Sequence, residues 1–263
     1  MRRYPLLLVV VLALAVATPV AAQFTDEELA QREAQEEFLA TAEIVESEQM
    51  GKDEGVTLPW KLVLRGNGME SKAVWKNVEG RKGGFWECWK CEIAAYRMDK
   101  YLGLNAVPVA VYRDFKGNGA LVGWVDHNIS GREKQAEKIA VPGPRIGNWN
   151  QMTAMQRAFD NLIGNEDRHL GNILITDDWR VILIDHTRAF RSTKKWTKKL
   201  KYGEDRPMKR LPKSFVEKIR ALDDATLREV VGDTLNDDEI AAVLARRVLL
   251  LEEIEKQGTY LFE

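Results

Sequence analysis

The spacing of hydrophobic and polar positions changes about halfway along the chain. The first half contains short apolar runs, separated by glycine, asparagine and proline, which predict strands. The second half has helical spacing, in residues 154–163 and in two or three amphipathic segments between Pro212 and Gln257. The pattern predicts an α+β fold in which a small, β-rich lobe precedes a mainly helical lobe.

The predicted small lobe covers residues 40–127 and the predicted helical lobe covers residues 128–263. Within the small lobe one helix is expected to begin near Glu92 and to stop at Gly103. Asn128–Trp149 is polar and proline-rich at its centre, and is therefore expected to form a connecting loop. The strands of the small lobe are expected at Ala40–Glu46, Trp60–Leu64, Lys72–Lys76, Val109–Tyr112 and Ala120–Val125.

An acidic helix is predicted at residues 23–39, ahead of the small lobe. Phe24–Glu54 carries eleven acidic residues and two basic ones. Thr25 and Glu28 have the spacing of a capping box, which marks a helix start. The composition is compatible with a solvated helix packed on the small lobe and with an acidic arm that binds a partner.

The first 22 residues differ in character from the rest of the chain. Arg2 and Arg3 precede an apolar run, Leu6–Val16, and the small residues Val20-Ala21-Ala22 follow it. This order is typical of a secretory signal peptide. We expect cleavage after Ala22 and a secreted or periplasmic protein without a transmembrane segment. An uncleaved membrane anchor is the alternative, although the apolar run is short for a span.

Composition selects among partners and compartments only weakly. The chain is 45% hydrophobic and 30% charged, with a net charge of −1, so bulk charge favours neither nucleic acid nor a membrane surface. We expect no nucleic-acid partner. In an oxidising compartment the two cysteines of the chain, Cys88 and Cys91, are expected to form a small disulfide. Two unpaired packing cysteines are the alternative, and two thiols alone are a weak metal site.

The strongest chemical signal is the spacing of three polar residues in the second half. Asp167 lies five residues before Asn172 and eighteen residues before Asp185. Phosphoryl transfer needs one carboxylate to orient the attacking hydroxyl and oxygen ligands to hold magnesium against the phosphates. The three residues supply these parts.

The apolar runs between these residues predict how they meet. Ile173–Ile175 and Val181–Ile184 are expected to pair as a hairpin around a turn at Thr176–Asp178. Asn172 then enters one strand and Asp185 leaves the other. Both side chains are therefore expected at the same end of the hairpin, within reach of one metal ion.

The block Asp167-Arg168-His169-Leu170-Gly171-Asn172 resembles the catalytic loop of atypical kinases of the phosphoinositide-kinase type. Secretory-pathway kinases and bacterial HipA-like kinases share this variant, and the most similar group is a bacterial one loosely labelled phosphoinositide 3- and 4-kinase-like. The resemblance runs from about Phe38 to about Glu253. One departure is that Asp185 is followed by His186-Thr187 and not by the Phe-Gly of ordinary protein kinases, which argues against ordinary protein-kinase regulation.

The resemblance implies a two-lobed protein-kinase-like fold that binds ATP with Mg²⁺ or Mn²⁺. It implies that Asp167 is catalytic, that Asn172 and Asp185 bind the metal, and that Asn172 also contributes to nucleotide binding. Arg168 and His169 are expected to support the loop. Asp160 and Asn165 are candidates to brace the loop from behind.

A lysine and a glutamate in the small lobe fit the same arrangement. Lys76 ends a predicted strand, and Glu92 lies sixteen residues later on the predicted helix. Kinases use such a strand lysine, paired with a helix glutamate, to grip the α- and β-phosphates. Both residues are therefore predicted to bind the nucleotide.

Three further segments carry weaker predictions. Met50–Thr57 contains two glycines whose backbone can approach phosphates, and Gly123–His127 is the candidate hinge that holds adenine. Arg191–Arg210 carries nine basic and two acidic residues. This basic segment is either a solvated loop or a patch for acidic substrates or lipid headgroups.

The combined prediction is an exported kinase-like phosphotransferase that depends on ATP and a divalent metal. Its acceptor is a hydroxyl group on an unknown protein, lipid or small molecule, and an acidic acceptor is one candidate. Two alternatives keep the same fold: a catalytically inactive binding or scaffold protein, and an enzyme that transfers AMP. Residue types do not separate them.

Overall fold

The described part of the chain consists of helices and strands in an α+β arrangement, as predicted. The structure is a computed structural model that describes residues 24–51, 57–195 and 208–263, so the predicted signal peptide lies outside the described residues. The helices are α1 (Asp26–Ala30), α2 (Arg32–Thr41), α3 (Lys90–Leu102), α4 (Gly131–Ala136), α5 (Ile146–Ile163), α6 (Lys213–Ala221), α7 (Asp224–Val231) and α8 (Asp237–Lys256). The strands are β1 (Glu43–Gln49), β2 (Trp60–Gly66), β3 (Met69–Lys76), β4 (Glu79–Lys82), β5 (Phe85–Cys88), β6 (Ala110–Tyr112), β7 (Ala120–Gly123), β8 (Ile129–Ser130), β9 (Ile173–Ile175), β10 (Val181–Leu183), β11 (Arg210–Pro212) and β12 (Tyr260–Phe262).

A five-stranded antiparallel sheet in the order β1-β2-β3-β7-β6 forms the first lobe. Its central hairpin turns at Asn67 and Gly68, whose φ angles are 51° and 75°. A two-residue hairpin turn needs positive φ at both positions, which asparagine and glycine tolerate best. On one face of β2 and β3, alternate side chains are fully buried in the core: Leu62, Leu64, Ala73 and Trp75.

Helix α3 packs beside this sheet and ends where the sequence predicts. Gly103 caps it in the left-handed conformation, with φ of 71°. Buried Asp99 then accepts the backbone N–H groups of Ala106 and Val107, at 2.8 and 3.1 Å. Arg32 of α2 lies 3.5 Å from the same carboxylate, so this contact also ties α2 to the exit of α3.

The second lobe is built on α5, α6, α7 and α8, with the β8-β9-β10 sheet at its edge. Arg246 of α8 is fully buried and donates to the carbonyl groups of Leu162, Arg191 and Thr193 at 2.6–3.0 Å. Burial lowers the pKa of Arg246 to about 10, so it stays charged at neutral pH. Gly164 ends α5 with φ of 64°, where a Cβ atom would lie 2.8 Å from the Arg246 guanidinium carbon. Arg246 thereby fixes the end of α5 to the chain beyond Asp185.

Two boundary predictions for the first lobe are wrong in detail. The acidic N-terminal helix is two helices, α1 and α2, which break at Gln31, although Thr25 and Glu28 do form the predicted capping box. Helix α2 continues to Thr41, so the first strand begins at Glu43 and not at Ala40. Phe38 and Leu39 of α2 are buried, which means that this helix packs on the lobe along one face.

The prediction of a loop at Asn128–Trp149 is also wrong. This segment contains β8 and α4, and α5 begins at Ile146. Ser130 and Glu133 form a reciprocal capping box at the start of α4, a pattern that the sequence displays. The segment is polar because α4 is short and mostly exposed, and polar composition alone does not distinguish such a helix from a loop.

Two strand pairs were not predicted. β4 and β5 form a separate antiparallel hairpin between Lys76 and Glu92, and β11 and β12 pair in parallel near the C-terminus. A disulfide between Cys88 and Cys91 connects the end of β5 to the first turn of α3. Among the residues that the structure describes, no helix combines the length and apolar character needed to cross a bilayer.

Candidate functional site

Lys76 lies between two carboxylates, one from the first lobe and one from the second. Its Nζ atom is 2.6 Å from Oε1 of Glu92 in α3 and 2.9 Å from Oδ1 of Asp185 after β10. The Lys76 and Glu92 side chains are 12% and 2% exposed, whereas the Asp185 side chain is 39% exposed. The end of the cluster at Glu92 is therefore closed, and the end at Asp185 is exposed to solvent.

The three charges stabilise one another. Burial alone lowers the pKa of Lys76, but the attraction of Asp185 and Glu92 outweighs it and raises that pKa well above the usual value. Burial alone raises the pKa values of Asp185 and Glu92, but Lys76 lowers both below their usual range. At neutral pH the cluster is an ammonium group between two ionised carboxylates.

The predicted hairpin brings Asn172 and Asp185 to the same end of β9 and β10. The two strands pair antiparallel, with Leu183 opposite Ile173. Beyond this pair, the backbone N–H of Ile184 donates to the carbonyl oxygen of Asn172 at 3.2 Å. Asn172 is therefore joined to the residue that immediately precedes Asp185.

The local backbone fixes the direction of both side chains. Asn172 donates its Nδ2 group to the carbonyl oxygen of Asp167 at 3.1 Å, which leaves its Oδ1 atom to accept another contact. Asp185 has φ of 60°, a left-handed conformation that aspartate tolerates better than most residues. Its Oδ1 atom accepts from Thr187 at 3.1 Å as well as from Lys76.

The oxygen donors of Asn172 and Asp185 fit a magnesium or manganese ion that phosphates and water complete. Both hydrogen bonds of Asp185 end on Oδ1, so Oδ2 of Asp185 and Oδ1 of Asn172 are the oxygens that would hold a metal ion. Within the described ranges no group of three or more His, Cys, Asp or Glu side chains forms a metal site by itself. Mg²⁺ is typically held by one or two carboxylates together with substrate phosphates and water.

Arg168 braces the catalytic loop from the inside. Its Nε atom lies 3.1 and 3.2 Å from the two carboxylate oxygens of Asp160. Its Nη1 atom donates to the carbonyl oxygens of Asn172 and Ile184, both at 2.7 Å. Asn165 donates to the same Asp160 carboxylate at 3.1 Å. Arg168, itself supported by Asp160, thus connects the start of β9 to the end of β10 at the open end of the hairpin.

His186, which occupies the position of phenylalanine in ordinary kinases, belongs to this support. It is fully buried, and its Nε2 atom lies 2.7 Å from Nη2 of Arg168. Burial lowers the pKa of His186 despite the nearby Glu92 carboxylate, so the ring is neutral and its Nε2 atom accepts from Arg168. Nδ1 then carries the hydrogen and faces Oε2 of Glu92 at 3.5 Å, which is long for a hydrogen bond.

His169 has a local contact. It precedes a short 3₁₀ turn, and its Nδ1 atom accepts the backbone N–H of Gly171 at 3.1 Å. The supporting role that the sequence suggests for His169 stays a prediction.

Asp167 has a partner that sequence reasoning missed. Nη1 of Arg188 lies 2.9 Å from Oδ2 of Asp167, and Nε of Arg188 lies 2.7 Å from Oε1 of Glu87 in β5. The chain offers no motif for this contact, because Glu87 and Arg188 are about a hundred residues apart and β5 was not predicted. The one available signal is that Arg188 follows Asp185 by three residues.

Two weaker predictions are only partly covered. Residues 52–56 of the candidate phosphate loop lie outside the described residues, and its flanks Gln49 and Trp60 pair at the end of β1 and β2. Residues 196–207 of the basic segment are also outside the described residues. The candidate hinge, Gly123–His127, connects β7 to the turn before β8.

The β-sheet lobe, the lysine–glutamate pair and the β9–β10 hairpin together define an atypical protein-kinase-like fold. Residues 151–237 match the family model described as phosphatidylinositol 3- and 4-kinase. The matched segment contains the loop and hairpin from Asp167 to Asp185. No curated protein sequence matches the chain.

Three solved structures have the same fold. A Fam20 protein of hydra, solved with a sugar, superposes with a TM-score of 0.65 at 17% identity, over 93% of this chain and 95% of that one. A Golgi casein kinase gives a TM-score of 0.63 at 15% identity, over 90% and 76% of the two chains. A second structure of the Golgi casein kinase, with Mn and ADP bound, gives 0.64 at 15% identity, over 90% and 78%. These similarities confirm the predicted fold and the resemblance to this group of kinases.

Proposed function

We propose that the protein is an ATP- and divalent-metal-dependent phosphotransferase that phosphorylates a hydroxyl group. The observation that carries the proposal is the position of Lys76, which binds Glu92 on one side and Asp185 on the other. This contact aligns the strand lysine with the metal-binding aspartate. A scaffold that binds Mg-ATP without transferring phosphate would use the same cluster, and the labelled-ATP assay below distinguishes the two.

The proposed roles follow from the geometry of each side chain. Lys76 is held as an ammonium group at the edge of the cleft, where it binds the phosphates of ATP. Asn172 and Asp185 bind Mg²⁺ or Mn²⁺, which when bound neutralises charge on the phosphates and fixes their orientation. The solved Golgi casein kinase that carries Mn and ADP supports this choice of cofactors.

Asp167 acts on the acceptor. Its carboxylate side chain is 22% exposed and lies beside the hairpin that carries the metal ligands. It orients the acceptor hydroxyl and receives its proton while the hydroxyl oxygen bonds to the γ-phosphorus. The bond between that phosphorus and the bridging oxygen breaks, and ADP leaves with the electron pair.

The route out of the cytoplasm is part of the proposal. The composition of residues 1–22 supports export and cleavage after Ala22, and the similar folds include Golgi enzymes. N-terminal sequencing of the protein recovered from the periplasm or medium tests this point. A mature chain that begins at Gln23 is the expected result, and an intact Met1 on membrane-bound protein favours the anchor.

Purified mature protein incubated with Mg²⁺ and ATP labelled at either the γ- or the α-phosphate tests the chemistry. Transfer of γ-label to protein, lipid or small-molecule fractions is the expected result. Transfer of α-label identifies an AMP transferase on the same fold. Binding of Mg-ATP without transfer of either label identifies a scaffold. The acceptor fraction that gains γ-label reveals the substrate class.

A further inference from the structure

Arg188 contacts both the proposed catalytic carboxylate of Asp167 and a buried carboxylate of the first lobe. Its guanidinium group lies 2.9 Å from Oδ2 of Asp167 and 2.7 Å from Oε1 of Glu87. The same group stacks on the ring of Phe85, with 4.2 Å between the guanidinium carbon and the ring centroid. Two carboxylates and one aromatic face therefore fix its position and its plane.

Glu87 has few other interactions. Its side chain is 2% exposed, and its Oε2 atom has no hydrogen-bond partner among the described residues. A buried carboxylate needs a compensating charge, and Arg188 provides it. Burial alone lowers the pKa of Arg188, but Glu87 and Asp167 outweigh it and raise that pKa, so the arginine remains charged.

The hairpin that carries Glu87 is itself fixed at the site. The backbone N–H of Cys88 donates to the carbonyl oxygen of Thr187 at 2.8 Å, immediately beside Arg188. Cys88 is also bonded to Cys91 in the first turn of α3. β5 is therefore fastened both to the segment after Asp185 and to the helix that carries Glu92.

We infer that Arg188 is a positioning residue that orients Asp167 for phosphoryl transfer and is itself fixed by Glu87 of the β4–β5 hairpin. Arg188 binds Oδ2 of Asp167, and this contact leaves Oδ1 directed to the acceptor hydroxyl. Because Glu87 belongs to the first lobe and Asp167 to the second, the carboxylate is aligned only when the β4–β5 hairpin contacts the second lobe. This inference rests on the proposed function, since it assigns a role in that same reaction.

The test compares Arg188→Ala, Arg188→Lys and Glu87→Gln with the wild type. The readouts are Mg-ATP affinity by calorimetry and turnover of γ-labelled ATP with water and the protein itself as acceptors. Arg188→Ala is expected to lower kcat about 10- to 100-fold, because a displaced general base loses reactivity steeply, and to leave Mg-ATP affinity within about 2-fold. Arg188→Lys and Glu87→Gln are expected to have smaller effects of the same kind, because one contact survives in each.

Two additional measurements separate positioning from a structural role. In the Asp167→Asn background, Arg188→Ala is expected to lower kcat by less than about 2-fold, because Arg188 acts through Asp167. Guanidinium chloride at millimolar concentration is expected to restore part of the activity of Arg188→Ala but not of Asp167→Asn. Additive losses in the double variant, together with no rescue, overturn the inference.

Arg228→Ala is the matched control. Arg228 of α7 also pairs with two carboxylates, those of Asp224 and Asp237, at 2.8 Å each, and its loss is expected to have no effect on kcat. If Arg188→Ala does not fold, the pair Glu87→Gln with Arg188→Met removes both buried charges together and is expected to show the same loss of kcat.

A readout that needs no activity completes the test. Hydrogen exchange in Arg188→Ala is expected to accelerate in residues 165–172 and to stay unchanged in α8. If wild-type protein transfers no γ-phosphate, the proposed function fails, and the hold of Arg188 on Asp167 is judged by this exchange alone. Unchanged exchange with unchanged kcat shows that Arg188 does not position Asp167.

Discussion

Lys76 and Arg188 have similar surroundings, but we propose different roles for them. Lys76 lies between Glu92 of the first lobe and Asp185 of the second, and Arg188 lies between Glu87 and Asp167 in the same way. In the first cluster the cation belongs to the sheet. In the second cluster the cation belongs to the segment that follows Asp185.

The chemistry of the cations explains the difference. A lysine ammonium is a compact point charge, suited to phosphate oxygens that shift during a reaction. An arginine guanidinium is planar and binds two groups in fixed directions, suited to hold a carboxylate in one orientation. The difference between the two cations supports the proposal that the Lys76 cluster binds the nucleotide and that the Arg188 cluster serves the acceptor side.

Loss of Asp185 is expected to have the largest effect, because it removes a metal ligand and a partner of Lys76 together. Asp185→Ala should raise the Kd of Mg-ATP about tenfold or more and lower γ-phosphate transfer on the order of 10³-fold. Calorimetry with and without Mg²⁺ measures the first effect. Asp177→Ala, an exposed aspartate in the turn of the same hairpin, is the control. Unchanged Mg-ATP affinity in Asp185→Ala removes this residue from the site.

Loss of the Asp167 carboxylate is expected to separate the two clusters. Asp167→Asn should lower the transfer rate on the order of 10²-fold or more, because asparagine cannot receive a proton. Mg-ATP affinity should remain nearly unchanged, since the nucleotide side of the cleft is intact. Glu166→Gln, the adjacent carboxylate, is the control. Transfer at the wild-type rate in Asp167→Asn rejects the kinase assignment of this loop and favours the scaffold.

Lys76→Ala is expected to affect both binding and turnover. Hydrogen bonds to charged groups contribute roughly 1.5–3 kcal/mol, so the Kd of Mg-ATP should rise about 10- to 100-fold. Turnover should fall in parallel because the lysine binds phosphates throughout the reaction. Lys72→Ala changes an exposed lysine of the same strand and should leave both quantities unchanged. A fall in turnover with unchanged affinity contradicts the assignment of Lys76 to nucleotide binding.

The two clusters also differ in how far the sequence predicted them. Spacing and order in the sequence select Lys76, Glu92 and Asp185, and the structure brings these residues together. It does so through β3, α3 and the β9–β10 hairpin, which lie where the sequence predicts them. Their roles remain a prediction. The signal was strong because each residue follows or begins a regular element.

The sequence does not predict the Arg188 cluster, because its residues do not mark the start or end of a recognisable element. Glu87 lies in a strand of four residues, Phe85–Cys88, with two exposed aromatic side chains and no clear alternation. Its contact with Arg188 depends on how the lobes meet, which no local pattern encodes. The same limit applies to His186, whose bond to Arg168 depends on burial. Helix α4 differs, because its capping box is visible in the sequence and only its polar composition favoured a loop.

The disulfide between Cys88 and Cys91 joins the two clusters within the first lobe. Cys88 follows Glu87 directly and Cys91 precedes Glu92 directly, so the bond sets the spacing of the two carboxylates. A closed loop this short removes little chain entropy, and its loss should cost about 2 kcal/mol. The corresponding fall in Tm for a chain of this size is about 5 °C.

The smallest expected effect is therefore that of Cys88→Ser with Cys91→Ser, measured by thermal unfolding and by transfer of γ-label well below Tm. Lys76 and Arg188 keep their carboxylate partners through packing and charge, so turnover should change by less than about 2-fold. Reductant should lower the Tm of the wild type and leave the double variant unchanged. An unchanged wild-type Tm shows that the bond is absent or without effect on stability. If turnover instead falls while Mg-ATP affinity persists, Glu87 depends on the disulfide more than Glu92 does, and the acceptor side is the less firmly held of the two clusters.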